Sequence, residues 1–402
     1  MRRPVVEDSE VGWVGHPLRA YEGHSMEATR TSIRDRAQLS GADRGEGGSS
    51  AIARAIEFLE RIDPGRHRRI KGLRLVAAYG VAVVLGATPA ISHRVSHGSV
   101  LSLLAGGFAL WACVSEGRLT RTESCRDLVI LNAAAVLGSV MMIGFAPMLM
   151  GAYRPRPELT LALGAFLVGY LKRFGILGTG VGSQIYIGQL LAYTTRLTTA
   201  DLWTVGVAGL IAAFASILPR LFSDLVERRV AEPPMAAAPI GGSGNETPGL
   251  YMGLQAAVAA IVIVALNDAI GLEESAWAIT ACVYVVANSR AATMERIRRR
   301  IFGTAVGVPL GLACLPIAVH APALVWAAAA VAMVIYSMAL PERYDVACGA
   351  FAFALIVTMA ATGDHSLKVL SARAWETLLG GAVGLAAAML VPVKNAWPGK
   401  LP

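Results

Sequence analysis

Twelve times along this chain the sequence turns apolar for close to twenty residues, and nothing else in it limits the fold so severely. A bilayer core about 30 Å thick needs about 20 residues at the helical rise. Backbone groups in lipid must find partners within their own segment, so helices are the expected answer. The runs lie at roughly 73–91, 98–115, 128–150, 158–171, 177–195 and 202–222, then at roughly 250–270, 275–289, 301–319, 322–340, 346–362 and 373–392, as judged by span length. Of 402 residues, 55% are hydrophobic and only 16% are charged, with the charges gathered between the runs. The expectation is an all-α polytopic membrane protein of about 12 transmembrane helices; the fourth and fifth spans are the weakest.

Orientation follows from the basic residues, because Lys and Arg are retained on the cytosolic side. From Met294 to Gly311 a cluster of Arg296, Arg298, Arg299 and Arg300 runs into an apolar helix carrying Gly303, Gly307 and Gly311. Glycines at every fourth position line one helical face and let a neighbouring backbone approach, which is how helices associate in lipid. With the Arg66–Arg74 cluster placed inside, the inside loops hold Arg118, Arg121, Arg126, Lys172, Arg173, Arg228, Arg229, the Arg290–Arg300 cluster, Arg343 and Lys394. The outside loops keep only Arg94, Arg154, Arg156, Arg196 and Lys368, with Arg373 at the outer end of the last helix. Both termini are expected in the cytosol. The net charge of +8 is spread over alternate helix ends rather than one surface, so it argues for topology and against nucleic acid. Cys113, Cys125, Cys282, Cys314 and Cys348 are odd in number and lack CxxC spacing, which reads as packing rather than a disulfide frame or a metal site.

Residues 1–50 are polar, too poor in apolar side chains to fold alone, and are expected to form a disordered cytosolic tail. In 51–72 an amphipathic pattern (Ile52, Ile56, Leu59, Ile62) precedes the basic cluster. It suits a helix on the anionic inner leaflet, or an ordinary juxtamembrane helix touching other cytosolic parts. Residues 223–249, rich in Gly, Ser and Pro, form a flexible linker between the repeats at 73–222 and 250–392; a short cytosolic tail, 393–402, ends the chain. The halves look alike: Gly206, Gly209, Leu210 and Ala213 match Gly381, Gly384, Leu385 and Ala388 at one constant offset, and Glu123 with Arg126 echoes Glu295 with Arg298. Six spans per half give both the same orientation, so the repeat is expected to be parallel, about an axis along the membrane normal.

The sequence Ala276-Trp277-Ala-Ile-Thr280, then Arg300-Ile-Phe-Gly303-Thr304-Ala-Val-Gly307, then Arg373-Ala-Trp-Glu376-Thr377-Leu-Leu-Gly380 resembles the FUSC (fusaric acid resistance protein) family, which includes the aromatic acid exporters of bacterial inner membranes. The likeness is clear over 250–392 and weaker over 73–222, where Leu131 and Asn132 follow Arg126 in place of Gly-Thr. Only 223–249 stands where members commonly carry a large cytosolic domain. The resemblance implies an inner-membrane location, efflux of small organic, often aromatic, acids, and a periplasmic adaptor protein as partner; a homo-oligomer stays open.

Ionisable groups at membrane depth are costly and point to function. Candidates for binding an organic anion are Arg373 and Glu376 in the last span, Arg300, Asp268 beside Asn267, and Gln184 and Gln189 after Gly178, Gly180 and Gly182. An arginine facing a cavity offers a carboxylate paired donors. Equally, Arg373 and Glu376 pair at the outer interface, and Arg300 and Glu295 are topology signals. The alternate glycines suit an unwound segment lining a site, or a plain helix-entry loop. Trp111, Trp203, Trp277 and Trp375 either stack on substrate or form interfacial belts, and Gly380 and Gly384 join the packing glycines. No catalytic constellation, metal-ligand spacing, phosphate loop or cofactor motif stands out, so the chain is not expected to be an enzyme. Any pumping then uses an ion gradient, with Glu376 or Asp268 as proton carriers. A passive anion channel and a non-transporting scaffold are the other readings.

Overall fold

The computed structural model describes residues 67–390, apart from 96–97, 118–119, 150–155, 228–246, 273–274, 286–289, 341 and 362–366, together with 57, 60 and 63. The chain divides into units 1–62 and 63–402. Only Glu57 and Glu60, both helical, are described in the first, so the expected tail and most of the amphipathic helix lie outside the described residues. The same holds for 228–246 of the linker and for the C-terminal tail.

The described residues are helical, and no strand occurs among them. The helices are α1 His67–Ala87, α2 Pro89–Ser92, α3 Gly98–Ser115, α4 Arg121–Phe145, α5 Leu159–Tyr170, α6 Gly175–Thr194 and α7 Leu202–Glu227. Then come α8 Thr247–Ile270, α9 Ser275–Val285, α10 Arg290–Ala313, α11 Leu315–His320, α12 Pro322–Ala339, α13 Tyr344–Ala361 and α14 Leu367–Leu390. The basic residues from His67 to Arg74 form the first turns of α1 rather than preceding it, since Lys and Arg are good helix formers. Helix α7 likewise runs through Ser223–Glu227, into the stretch expected to be linker.

Among the described residues seven stretches are long and apolar enough to cross a membrane, and four shorter apolar helices accompany them. One of the seven, Leu159–Thr194, folds back on itself. Gly175 takes φ +77, a left-handed conformation open to glycine, and reverses the chain after Phe174. Beyond it Gly178 lies on the Leu171 carbonyl, Gly182 on the Leu167 carbonyl, and Gly164 against Gln189. These pairings step in opposite directions, so α5 and α6 form an antiparallel hairpin. Helix α5, at 12 residues, is only about 18 Å long.

Other close approaches fix the remaining directions. Gly86 meets Ser102 and Gly106 meets Tyr79, so α1 and α3 are antiparallel. Leu131 meets Gly180 and Ile185 meets Gly138, so α4 and α6 run the same way, as do α10 and α13 through Gly303, Gly307 and Gly311. Within the first half α1 packs on α3 and α7, α3 on α7, α4 on α6 and α7, and α5 on α6. Within the second half α8 packs on α9 and α14, α9 on α14, α10 on α13 and α14, and α12 on α13. Six helix pairs recur at corresponding positions in the two halves, whereas the α3–α6 contact of the first half has no comparable α9–α13 counterpart among the described residues. Between the halves α1 packs on α12 and α5 on α8, both antiparallel, with Gly72 against Val334 and Gly169 against Gly253.

Small residues make these approaches possible, and the apolar surplus faces outward. Leu210, Phe214, Phe222, Phe302, Leu324 and Leu390 are all more than half exposed, a surface suited to lipid tails. Polar side chains inside bond to helix carbonyls: Ser139 to Ala135 and to Gly188 across to α6, Ser216 to Ala212, and Thr280 to Ala276. Each satisfies a group that lipid cannot.

Candidate functional site: a cavity between the halves

Basic side chains converge at one end of the bundle. Lys71 donates to the Val114 and Glu116 carbonyls at the end of α3, and Arg299 donates to the Glu342 carbonyl in the turn before α13. Arg68 pairs with the Glu342 carboxylate, and the guanidinium holds that carboxyl below its ordinary range. Such residues cover the orphan carbonyls at helix ends and favour the dipoles there.

A cavity of about 1120 Å³ starts from the opposite end and runs deep between α1, α3, α6, α9, α12 and α13. That volume matches pockets that enclose drug-sized molecules. Its wall is aromatic and aliphatic: Tyr79, Trp111, Trp277, Trp326 and Phe351 contribute rings, and Val83, Leu103 and Met333 fill between them. Trp111 sits 13 residues along α3 from Gly98, about 20 Å at the helical rise. There it stacks on Tyr284 (6.5 Å between centroids, 9° between planes) and meets Phe351 edge-on at 5.5 Å. Tyr186 abuts Tyr284 and Tyr336 abuts Phe351. These five rings close the inner end. Beyond them Arg300 lies against Tyr344, which hydrogen-bonds to it, while its Nε is buried with no protein acceptor among the described residues.

The mouth is polar. Glu158, the residue before α5, is only 9% exposed, and its Oε1 accepts three hydrogen bonds. The donors are the Tyr193 hydroxyl at 2.7 Å, Asn267 Nδ2 at 3.0 Å and Ser275 Oγ at 3.2 Å. Tyr193 ends α6 in the same half, whereas Asn267 and Ser275 belong to α8 and α9 of the other. Asn267 also turns its Oδ1 to the Leu272 amide, which fixes the amide's orientation. Arg156 and Asp268 form an ion pair at 2.5 Å beside this cluster. Arg196, with φ 54, and Thr198 complete the rim; the Thr198–Asp201 capping box sets the turn into α7.

The sequence candidates scatter over several places. Asp268 is engaged by Arg156 rather than facing the cavity, and the neighbouring Asn267 lines it. Glu376 is fully buried in α14; the Arg373 side chain lies outside the described structure. Gln184 and Gln189 are fully buried, with side-chain amides lacking protein partners among the described residues, and neither lines the large cavity. The unwound segment suggested by Gly178, Gly180 and Gly182 is absent: Gly175–Thr194 is continuous helix. Those glycines instead admit the Leu171 carbonyl, Leu131 with Ser115, and the Leu167 carbonyl. Gly303 and Gly307 meet backbone atoms of α13, Gly311 meets Ile356, and Gly380 and Gly384 meet α9. Of the tryptophans, Trp111 and Trp277 line the cavity, while Trp203 and Trp375 are 66% and 42% exposed. Sequence reasoning missed Glu158, Tyr193 and Trp326; an acid at the head of an apolar run was the one available signal for Glu158.

Membrane-length apolar helices whose surplus of large apolar side chains faces outward define a multi-pass membrane protein. Residues 258–387, most of the second half, match the family model of fusaric acid resistance protein-like proteins. That match agrees with the resemblance carried by the Ala276–Thr280, Arg300–Gly307 and Arg373–Gly380 motifs. No curated protein and no solved structure matches the chain.

Proposed function

We propose that this protein is a gradient-driven exporter of small organic acids, with aromatic acids as the preferred class. The observation that carries the reading is the cavity of about 1120 Å³, whose aromatic walls suit a ring and whose mouth holds a carboxylate and Arg196. An exporter open to its release side should hold an anion weakly, and a buried Glu158 at the mouth disfavours a negative solute. On this reading the basic end faces the cytosol of a bacterial inner membrane, following the retention of Lys and Arg, and both termini lie there.

The architecture we propose is twelve spans in two parallel six-helix repeats. Its support is the six helix pairings that recur in the two halves and the reciprocal α1–α12 and α5–α8 contacts between them. The antiparallel sense of both contacts favours like orientation, since an inverted copy would make them parallel.

Reconstitution into liposomes tests the function. Labelled benzoate or fusaric acid should accumulate against its gradient when a pH difference is imposed, and deletion of the gene should sensitise cells to such acids. Flux that only runs to equilibrium would identify an anion channel. Absence of flux, with unchanged sensitivity, would refute transport of this class.

A further inference from the structure

Among the described residues, the carboxylate at the cavity mouth is well placed to exchange a proton with the cavity. Glu158 gathers its three donors on one oxygen, Oε1, and among the described residues no donor meets Oε2. It lines the cavity, so protons from the water there reach it. Two of the three donors, Asn267 and Ser275, lie on the other half of the chain, 109 and 117 residues away. Hydrogen bonds to an ionised acceptor are about twice as strong as those between neutral groups. The charge on Glu158 therefore strengthens ties that hold the α5–α6 hairpin to α8 and α9.

We propose that Glu158 is the proton-binding group of the carrier, and that its ionised form latches the two halves together at the cavity mouth. A proton from the cavity adds to a lone pair on Oε2, the carboxylate becomes a neutral acid, and Oε1 becomes a poorer acceptor for Tyr193, Asn267 and Ser275. The loosened latch lets the emptied carrier return to face the other side, where the proton leaves. Reloading with solute and re-forming the latch then completes a cycle in which an acid anion moves out and a proton moves in. In this scheme the latch holds an empty, unprotonated carrier open outward and so suppresses its futile return.

The surrounding charges are consistent with this role. On its own segment Arg156 is occupied by Asp268 of α8. From α6 and the turn after it come Tyr193 and Arg196, and Asp201 is held in the Thr198 capping box. Across the cavity α1 contributes Tyr79, and α9 contributes the neutral Ser275. From α14, which packs on α9, the described ionisable side chain is Glu376.

The proposal rests on the exporter reading, and one experiment separates the two. Wild-type and Glu158→Gln proteins are reconstituted, and labelled benzoate and fusaric acid are followed under an imposed pH gradient and, separately, in exchange against unlabelled solute. Glutamine keeps an oxygen acceptor for all three donors but binds no proton. Glu158→Gln is expected to exchange solute and to lose at least tenfold of the pH-driven accumulation. If its accumulation still follows the pH gradient, the proton assignment is wrong and the exporter reading stands. If the wild type moves neither solute, both fail. Tyr193→Phe, which keeps the ring and the carboxyl but removes one donor to the charged form, guards against misfolding of the first variant. Its transport should reach half-maximum at a higher pH than in the wild type. An unmoved pH profile in a Tyr193→Phe protein that transports would also overturn the proposal.

Discussion

Replacing Gly307 by alanine tests whether the α10–α13 seam depends on contact between backbones. A Cβ built at Gly307 falls 2.2 Å from the Gly349 carbonyl oxygen, and 2.9 Å from its carbonyl carbon and Cα. Ordinary van der Waals contact begins at 3.4 Å, so the helices must part by about an ångström. The atom in the way is main chain and cannot swing aside. A gap of 0.5–1 Å already forfeits about a quarter to a half of each dispersion contact, and Gly303 and Gly311 share the seam. Overpacking of this kind costs about 1–3 kcal/mol, and a clash with main chain belongs at the upper end. Against it stands a gain of about 1 kcal/mol from the better helix propensity of alanine. The net expectation is a loss of about 2 kcal/mol. Gly206→Ala is the matched control: nothing lies within 4 Å of its added Cβ, so only the propensity gain remains. Purified in detergent, heated, and scored for monodisperse protein by size exclusion, Gly307→Ala should lose its folded peak several degrees below wild type. Gly206→Ala should equal or exceed wild type. Equal melting of the two variants would refute the seam argument.

Gln184 is fully buried with neither amide atom partnered by protein among the described residues, and such a group costs about 1–3 kcal/mol. Gln184→Met should therefore raise thermal stability by about 1 kcal/mol or more; a fall would show that the amide serves a bound water or solute. Glu342→Gln should lower stability slightly at neutral pH, because Arg68 holds the ionised carboxyl. That contribution is present above the ordinary carboxylate range and is lost as pH falls through the depressed value, so the two melting curves should coincide in acid.

Helix positions were legible because lipid enforces them: twenty apolar residues admit few other structures. Lys71, Arg68 and Arg299, which the charge pattern assigns to one side, do gather at one end of the bundle. The α5–α6 turn was harder, because α5 is short and a single glycine conformation at Gly175 makes the reversal. The cavity mouth was not legible. Glu158 owes its character to donors 35, 109 and 117 residues distant, and no local pattern announces such a meeting. Asp268 attracted attention as an acid closing a span, yet it is the amide of Asn267 beside it that reaches the cavity carboxylate. Trp111 and Trp203 looked equivalent as sequence; only the neighbouring helices decide that one stacks on Tyr284 while the other faces outward.

The reciprocal seams, first helix to the counterpart's fourth and fourth to the counterpart's first, have the self-complementary form of a two-fold homodimer. Severing the polypeptide within 228–246 and expressing the fragments together should accordingly regenerate a working heterodimer, held by Gly169 on Gly253 and Gly72 on Val334 rather than by the covalent join.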